Sequence, residues 1–458
     1  MSTLSWKQKP LFELMRLAGP IAASTISYSL MTLTDTLLIG HIGRSELAGV
    51  ALGGLFSFVL VCFSFGLLRA ANTLVAQAVG AGRADRVAAY QGAALATGLV
   101  MGLLTVALGQ LVAQLLPSLT ATGKAGEAAQ AYLSIRILGA PLALGYVALR
   151  EVSYGRGDAG SPMRATVAAN LVNISLCYLL VFVWERGVTG AALATVIANG
   201  VELGALLYRQ RGRGLGLRQA GPEEIKALWR LGTPTGIQYV LEVGSFAILT
   251  MLISLLSEAE MAAHQIAIQV IHFTFLPVWA AGEAAAVLAG QAVGAGEDRM
   301  VIKVSRLAAA VTGLYSGLCA VVLGLGASLI VGGFTRDPAV VGVAITLLHV
   351  AAIFQVFDAM NAVMRGVLRG AGDVRYSAVI GVVCAWVCTP PLTWLLGWRL
   401  HLGAYGGWIG LCLEIVVSAG LLVWRVEKRG WNAAAVRARG ALGERSREIG
   451  AQPVEAAG

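Results

Sequence analysis

Asp35, Glu242 and Asp358 each stand inside a long run of apolar residues. A carboxylate at mid-bilayer costs about 2.5 to 3.5 kcal/mol on insertion scales, so each calls for a physical reason. One chemistry open to such a group is exchange. An acid that must be neutralised by either of two cations, and never by both at once, makes them compete and couples their movements. Burial lets a proton be one competitor near neutral pH, whereas paired carboxylates joined by hydroxyl or carbonyl oxygens hold a hard cation such as Na+. The residues leave both open. The plainer alternative is an acid that snorkels to the interface or hydrogen-bonds between helices.

Such residues need elements that cross a membrane. Hydrophobic residues make up 57% of the 458, charged residues only 13%, and the mean hydropathy is +0.74. An ordinary globular domain is about one quarter charged, so a water-soluble enzyme or nucleic-acid binder is excluded by composition. The net charge of +9 lies in short clusters between apolar runs rather than in a patch. Charge and Gly/Pro punctuation delimit twelve segments: 14–41, 47–76, 87–116, 126–155, 163–184, 188–209, 226–256, 260–290, 302–334, 339–369, 375–398 and 404–427. The expected class is an all-α integral membrane protein with twelve transmembrane helices in two six-helix pseudo-symmetric lobes.

The Lys and Arg residues fall mainly on one set of loops, with Arg44, Lys124, Arg186, Arg336 and Arg399 on the other. By the positive-inside rule both termini are cytoplasmic, and the expected location is the inner, plasma membrane. Residues 1–13 read as a cytoplasmic N-terminus without a cleavable leader and 14–209 as an N-lobe. A cytoplasmic linker follows over 210–225, then a C-lobe over 226–428 and a disordered cytoplasmic tail over 429–458. The six cysteines lie within apolar runs with no C-x2-C pair, so neither a zinc site nor a disulfide framework is implied. No cofactor is expected beyond a coupling ion.

An internal repeat organises the chain. "LAGP" at Leu17–Pro20 answers "LGTP" at Leu231–Pro234, and "QAVGAG" at Gln77–Gly82 recurs at Gln291–Gly296, both about 214 residues apart. "GVTGAA" from Gly187 answers "GAYGGW" from Gly403. Six spans separate equivalent positions, so the halves share one orientation. The same offset sets Tyr28 against Glu242, Leu249 against Asp35 and roughly Gly145 against Asp358; the acids are not relics of duplication. Counted at about 1.5 Å per residue, Glu242 lies about 18 Å in from Arg230 and Asp358 about 16 Å in from Arg369. Asp35, about 13 Å from Arg44, belongs to the outer half. Arg69 plus 214 gives Glu283, so opposite charges occupy equivalent positions; a gating pair is one reading, and separate charges facing cleft water the other.

In combination the motifs resemble the multidrug and toxic compound extrusion family, NorM-type branch. They are "TDTLLIGHIG" around Asp35, "VAQAVGAG", "GVTGAALAT", Pro234 with Glu242 eight residues on, "AAHQIAIQ", and "FQVFDAMNAVMRGVLRGAGD" around Asp358. The resemblance covers residues 10 to 428. It implies a two-lobed antiporter that exports small organic cations in exchange for Na+ or H+, with no enzyme activity, acting as a monomer. It makes Asp35, Glu242 and Asp358 the coupling and substrate acids, with Glu242 and Asp358 as transient Na+ ligands if sodium is the coupling ion. Asn173 and Thr195 become polar support for Asp35. Where relatives often carry a second N-lobe aspartate this chain has Cys177, which puts a two-aspartate proton site in doubt.

Two other classes share features with this sequence. "GRGD" at Gly155–Asp158 and "GAGD" at Gly370–Asp373 resemble an intramembrane aspartyl protease motif, but they recur at repeat-equivalent positions beside arginines and read as helix-end turns. A lipid-linked precursor flippase of the same superfamily would need a cationic cleft for its anionic headgroup. His264 reads as a packing or hydrogen-bonding residue, Glu202 as an interfacial snorkelling acid, Pro390-Pro391 as a break in span 11, and Glu414 has no assigned role.

Overall fold

In a computed structural model, residues 4–119, 123–212 and 214–450 are described, without the side chains of 119 and 444–450. Residue 213 of the expected linker and 451–458 of the expected tail lie outside them. The described residues are helical, with no strand among them.

The first half contains α1 (Pro10–Gly40), α2 (Arg44–Gly80), α3 (Ala84–Leu115), α4 (Gly123–Arg136), α5 (Ala140–Gly155), α6 (Gly160–Tyr178) and α7 (Gly187–Gln210). The second contains α8 (Pro222–Ser254), α9 (Glu258–Gly294), α10 (Asp298–Gly332), α11 (Pro338–Gly370), α12 (Val374–Leu392) and α13 (Gly403–Glu427), followed by α14 (Asn432–Gly450). A short 3-10 turn, Ile137–Gly139, joins α4 and α5 into one span, so each half supplies six. The chain is an all-α membrane protein of twelve transmembrane helices.

Eleven of these spans are long and apolar enough to cross a bilayer on composition alone, and α1 is the twelfth. Its hydropathy is lowered by Ser24, Thr25, Ser27, Ser29, Thr32, Thr34 and Thr36. Most of these hydroxyls bond back to their own helix, as Ser24 does to the Pro20 carbonyl at 3.0 Å and Thr36 to that of Thr32 at 2.9 Å. A hydroxyl satisfied in this way tolerates lipid. Leu314, Leu325 and Leu329 of α10 are at least 79% exposed, as side chains facing acyl chains should be.

Contacts divide the chain into two compact units, residues 19–75 with 87–240 and residues 1–18 with 76–86 and 241–458. In the first, Ile39, Cys177, Leu180 and Ala194 form one buried cluster and Leu116, Leu133 and Ile137 another. In the second, Leu249, Ala263, Leu347, Phe354 and Trp408 anchor a larger core. That unit also holds both copies of the repeated motif. A Cβ on Gly80 would lie 2.0 Å from the Gln291 carbonyl oxygen, and one on Gly294 would lie 1.9 Å from that of Gln77. Each copy therefore uses its glycine to let the other's backbone approach.

The G-x-G turns all close the same way. Arg83 N–H bonds the Ala78 carbonyl, Asp158 that of Ser153, Glu297 that of Ala292 and Asp373 that of Leu368, with left-handed Gly82, Gly157, Gly296 and Gly372 between. This is the six-to-one closure of a helix C-terminus. Asp158 then accepts from the Ser161 N–H at 3.0 Å and Asp373 from Arg425 at 2.9 Å, so both acids serve helix-end roles.

Two expectations are corrected. Pro390-Pro391 do not interrupt span 11: α12 runs through them and loosens into a π-helical turn, Thr393–Arg399. A π-helical turn also follows α6, at Leu179–Val183, where there is no proline and the offset is again 214. The loosening thus belongs to the repeat. The expected disordered tail is instead helical over Asn432–Gly450. Trp431 is fully buried and Ala434, Ala435 and Leu442 follow it into contact. Arg439 pairs with Asp298 at 2.7 Å, and the Leu442 and Ala441 carbonyls accept from Arg83 and Arg86 at 2.6 and 3.2 Å. One buried indole, one ion pair and two arginine-to-carbonyl hydrogen bonds fix a helix whose composition alone is too polar to predict.

Candidate functional site

In the second unit, Glu242 lies on α8 eight residues past Pro234, and the Arg365 guanidinium of α11 donates to it at 2.6 Å. The same guanidinium donates through Nε to Asn361 Oδ1, one turn earlier, also at 2.6 Å. That second bond holds the long side chain against its own helix and aims its fork at α8. Asp358 is two turns before Arg365 on α11, and Glu414 reaches in from α13, with the Thr389 hydroxyl donating to it. Arg365 is within electrostatic range of Glu242, Glu414 and Asp358. Trp386 Nε1 donates to the Leu241 carbonyl at 3.0 Å and Ser245 to that of Ala385 at 3.0 Å, fixing α12 beside α8.

The fourth acid is Glu283 on α9. Both of its oxygens accept from Arg369 Nη2 at 2.8 Å, and the side chains are 2% and 8% exposed. Four membrane-embedded carboxylates thus share two guanidiniums. Glu242 and Glu283 each hold one, whereas Asp358 and Glu414 have no ion pair among the described residues. Among those residues no three His, Cys, Asp or Glu side chains converge closely enough to hold a metal ion. The sequence reading missed Arg365 and left Glu414 without a role. A signal for Arg365 was present: it follows Asn361 by four residues and Asp358 by seven, which puts all three along one helix face.

His264, fully buried, accepts the Trp408 Nε1–H at Nδ1 (3.0 Å) and meets Thr250 Oγ1 through Nε2 at 3.2 Å. An indole only donates, so Nδ1 must be the unprotonated nitrogen and Nε2 the donor. This fixes a neutral tautomer and a structural role.

In the first unit, the Asp35 carboxyl on α1 is hydrogen-bonded by the Cys177 thiol of α6, with Arg136 in electrostatic range. Asn173, one turn before Cys177, donates to Thr195 of α7 at 3.3 Å, and Thr195 donates to the Ala191 carbonyl at 3.1 Å. The four residues therefore form two adjacent pairs. Asp35 Oδ1 and Asn173 Oδ1 are buried without a hydrogen-bond partner. Glu202 is not a snorkelling acid: it accepts from Thr166 at 3.0 Å, Thr166 in turn meets the Tyr146 hydroxyl at 2.6 Å, and Arg150 is in electrostatic range. Arg150 also bonds Glu151 at 2.8 Å. The Arg69 guanidinium lies over the Tyr239 ring, 5.4 Å from its centroid.

Comparison with known proteins bears on this arrangement. The MatE family pattern matches residues 20–179 and 234–395. The chain is 32% identical over 455 residues to a probable multidrug resistance protein NorM of Pseudomonas syringae pv. tomato, covering 95% of this chain and 98% of that one. It is 34% identical over 434 residues to a protein of the same description from Bradyrhizobium diazoefficiens, covering 90% and 92%. Among solved structures, the eukaryotic MATE transporter AtDTX14 superposes with a TM-score of 0.86 at 22% identity, covering 95% of this chain and 99% of that one. A MOP superfamily transporter from Pyrococcus furiosus, described as having a binding pocket of reverse polarity, superposes with a TM-score of 0.85 at 21% identity, covering 94% and 98%.

Proposed function

We propose, since the chain belongs to the MatE family, that it exports small organic cations across the inner membrane in exchange for Na+ or H+, alternating between access states as a monomer with both termini cytoplasmic. The observation that carries this reading is the charge balance of the second half, in which, among the described residues, Asp358 and Glu414 have no guanidinium of their own. Membrane-embedded carboxylates without an ion-pair partner demand positive charge. A proton, a hard cation or a cationic substrate meets that demand, and whichever binds excludes the others, which is the competition that exchange requires. The same balance disfavours a precursor flippase, whose anionic headgroup would meet surplus negative charge.

Glu242 acts through Arg365. Neutralising Glu242 would free the guanidinium to pair with Asp358 or Glu414 and remove the vacancy the cation needs. Asp35, with one oxygen held by Cys177 and the other without a partner, is the corresponding acid of the first half, and Asn173 and Thr195 support it. The test is efflux of a fluorescent organic cation from proteoliposomes, driven separately by a Na+ gradient and by a pH gradient. Glu242→Gln and Asp358→Asn should each abolish gradient-driven efflux while insertion is unchanged, and Asp35→Asn should impair it. Wild-type rates in both C-half variants would refute the assignment, and the gradient that drives the native protein identifies the ion.

A further inference from the structure

Away from the carboxylates, the start of α1 and the first turns of α10 flank an open surface cavity of about 640 Å³. Its lining includes Lys9, Lys303 and Arg306 together with Pro10, Leu11 and Phe12. Arg306 is held by Glu427 at 2.6 Å, but the ammonium groups of Lys9 and Lys303 make no ion pair among the described residues. Three cations with one carboxylate leave two positive charges facing the cavity. Its apolar lining continues into exposed apolar surface beyond it. Leu11 and Phe12 are 48% and 65% exposed, and along α10 Leu314 and Leu318 are 79% and 65% exposed. Arg306 and Leu314 are eight residues apart on α10, about 12 Å along its axis. A cationic concavity at the helix ends thus opens onto two lipid-facing stripes that run toward the bilayer centre.

We propose that this cavity binds the headgroup of an anionic phospholipid, with its phosphodiester between Lys9 and Lys303 and its acyl chains along Leu11, Phe12, Leu314 and Leu318. Basic pockets between transmembrane helices recognise such headgroups by charge, and the apolar stripes supply what a free anion would not use. Arg306, paired with Glu427, lines the same wall. The site requires only that these helices cross a membrane; it is separate from the carboxylate cluster and independent of what that cluster transports.

The full chain in neutral detergent is titrated with dioctanoyl phosphatidylglycerol, dioctanoyl phosphatidylcholine and inorganic phosphate, with binding read by thermophoresis. Phosphatidylglycerol should bind saturably and the other two should not. Lys9→Gln with Lys303→Gln should weaken it about 30-fold, about 2 kcal/mol at 1.4 kcal/mol per tenfold, with each lysine contributing about half. Both side chains are exposed, so the variant should melt with the native protein in the absence of lipid. Equal binding by native and variant chains overturns the proposal. So does equal binding of phosphatidylcholine, which would mean a purely apolar groove, or of phosphate, which would mean an anion site that does not read lipid.

Discussion

Glu414→Gln should halve the number of cations exchanged per substrate molecule. The reasoning is a charge count: four embedded carboxylates against two guanidiniums leave two negative charges, on Asp358 and Glu414, when every group is ionised. If both vacancies must be filled in the ion-loaded state, two monovalent cations enter for each organic monocation expelled. With the membrane potential clamped at zero, a tenfold ion gradient then supports about 100-fold substrate accumulation at steady state, whereas a single-ion exchanger reaches about tenfold, a difference of about 1.4 kcal/mol. Gln keeps an oxygen for the Thr389 hydroxyl, so the change removes charge and leaves the local bond. Reconstituted protein, an ionophore clamp and a series of imposed gradients would show accumulation rising as the square of the gradient in the native protein and linearly in the variant. A square law surviving in Glu414→Gln refutes the count.

Three further outcomes follow from the packing. Gly80→Ala and Gly294→Ala should each destabilise the fold toward the upper end of the overpacking range, about 3 kcal/mol in an SDS unfolding titration. The double variant should cost clearly less than the sum, because separation forced by one methyl relieves the other. Additive losses would show that the two sites act independently. Glu283→Arg should cripple gradient-driven efflux while insertion is unchanged, by setting a second guanidinium against Arg369; wild-type efflux would show that the pair carries no function. Trp431→Ala, which empties a fully buried indole site, should cost about 3 to 5 kcal/mol and release α14 to limited proteolysis. Unchanged cleavage would mean that the ion pair of Arg439 holds the helix without it.

The twelve spans were legible because a bilayer constrains composition over about 20 residues at a time, and punctuation by charge does the rest. Most helices start and stop within a turn of the expected limits. What escaped depends on which side chain a residue meets on another helix. Glu242 and Arg365 are 123 residues apart, and no local pattern says that one guanidinium will join α11 to α8. Glu202 looked interfacial because Arg209 is near in sequence, yet Thr166 and Tyr146 turn its carboxylate inward. The prolines of α12 drew attention from a winding that the first half repeats without them. Asp35 and Cys177 were legible as neighbours in role; that Asn173 would pair with Thr195 and leave its own oxygen unsatisfied was not.

The reciprocal contact of the two "QAVGAG" segments has a consequence for how such a chain can change. Gly80 receives the backbone of Gln291 and Gly294 that of Gln77, so one motif, present twice, is its own receptor. That is the logic of an isologous interface, in which a single patch is complementary to itself across a two-fold axis. A half-length protein bearing the motif would already possess a dimer contact, and fusing two copies would convert it into an intramolecular one without altering a residue. The membrane-embedded acids differ between the halves, since the repeat sets Glu242 against Tyr28 and Asp35 against Leu249. The glycines do not: a substitution in either motif is felt by both, and no change in one half alone can restore the fit.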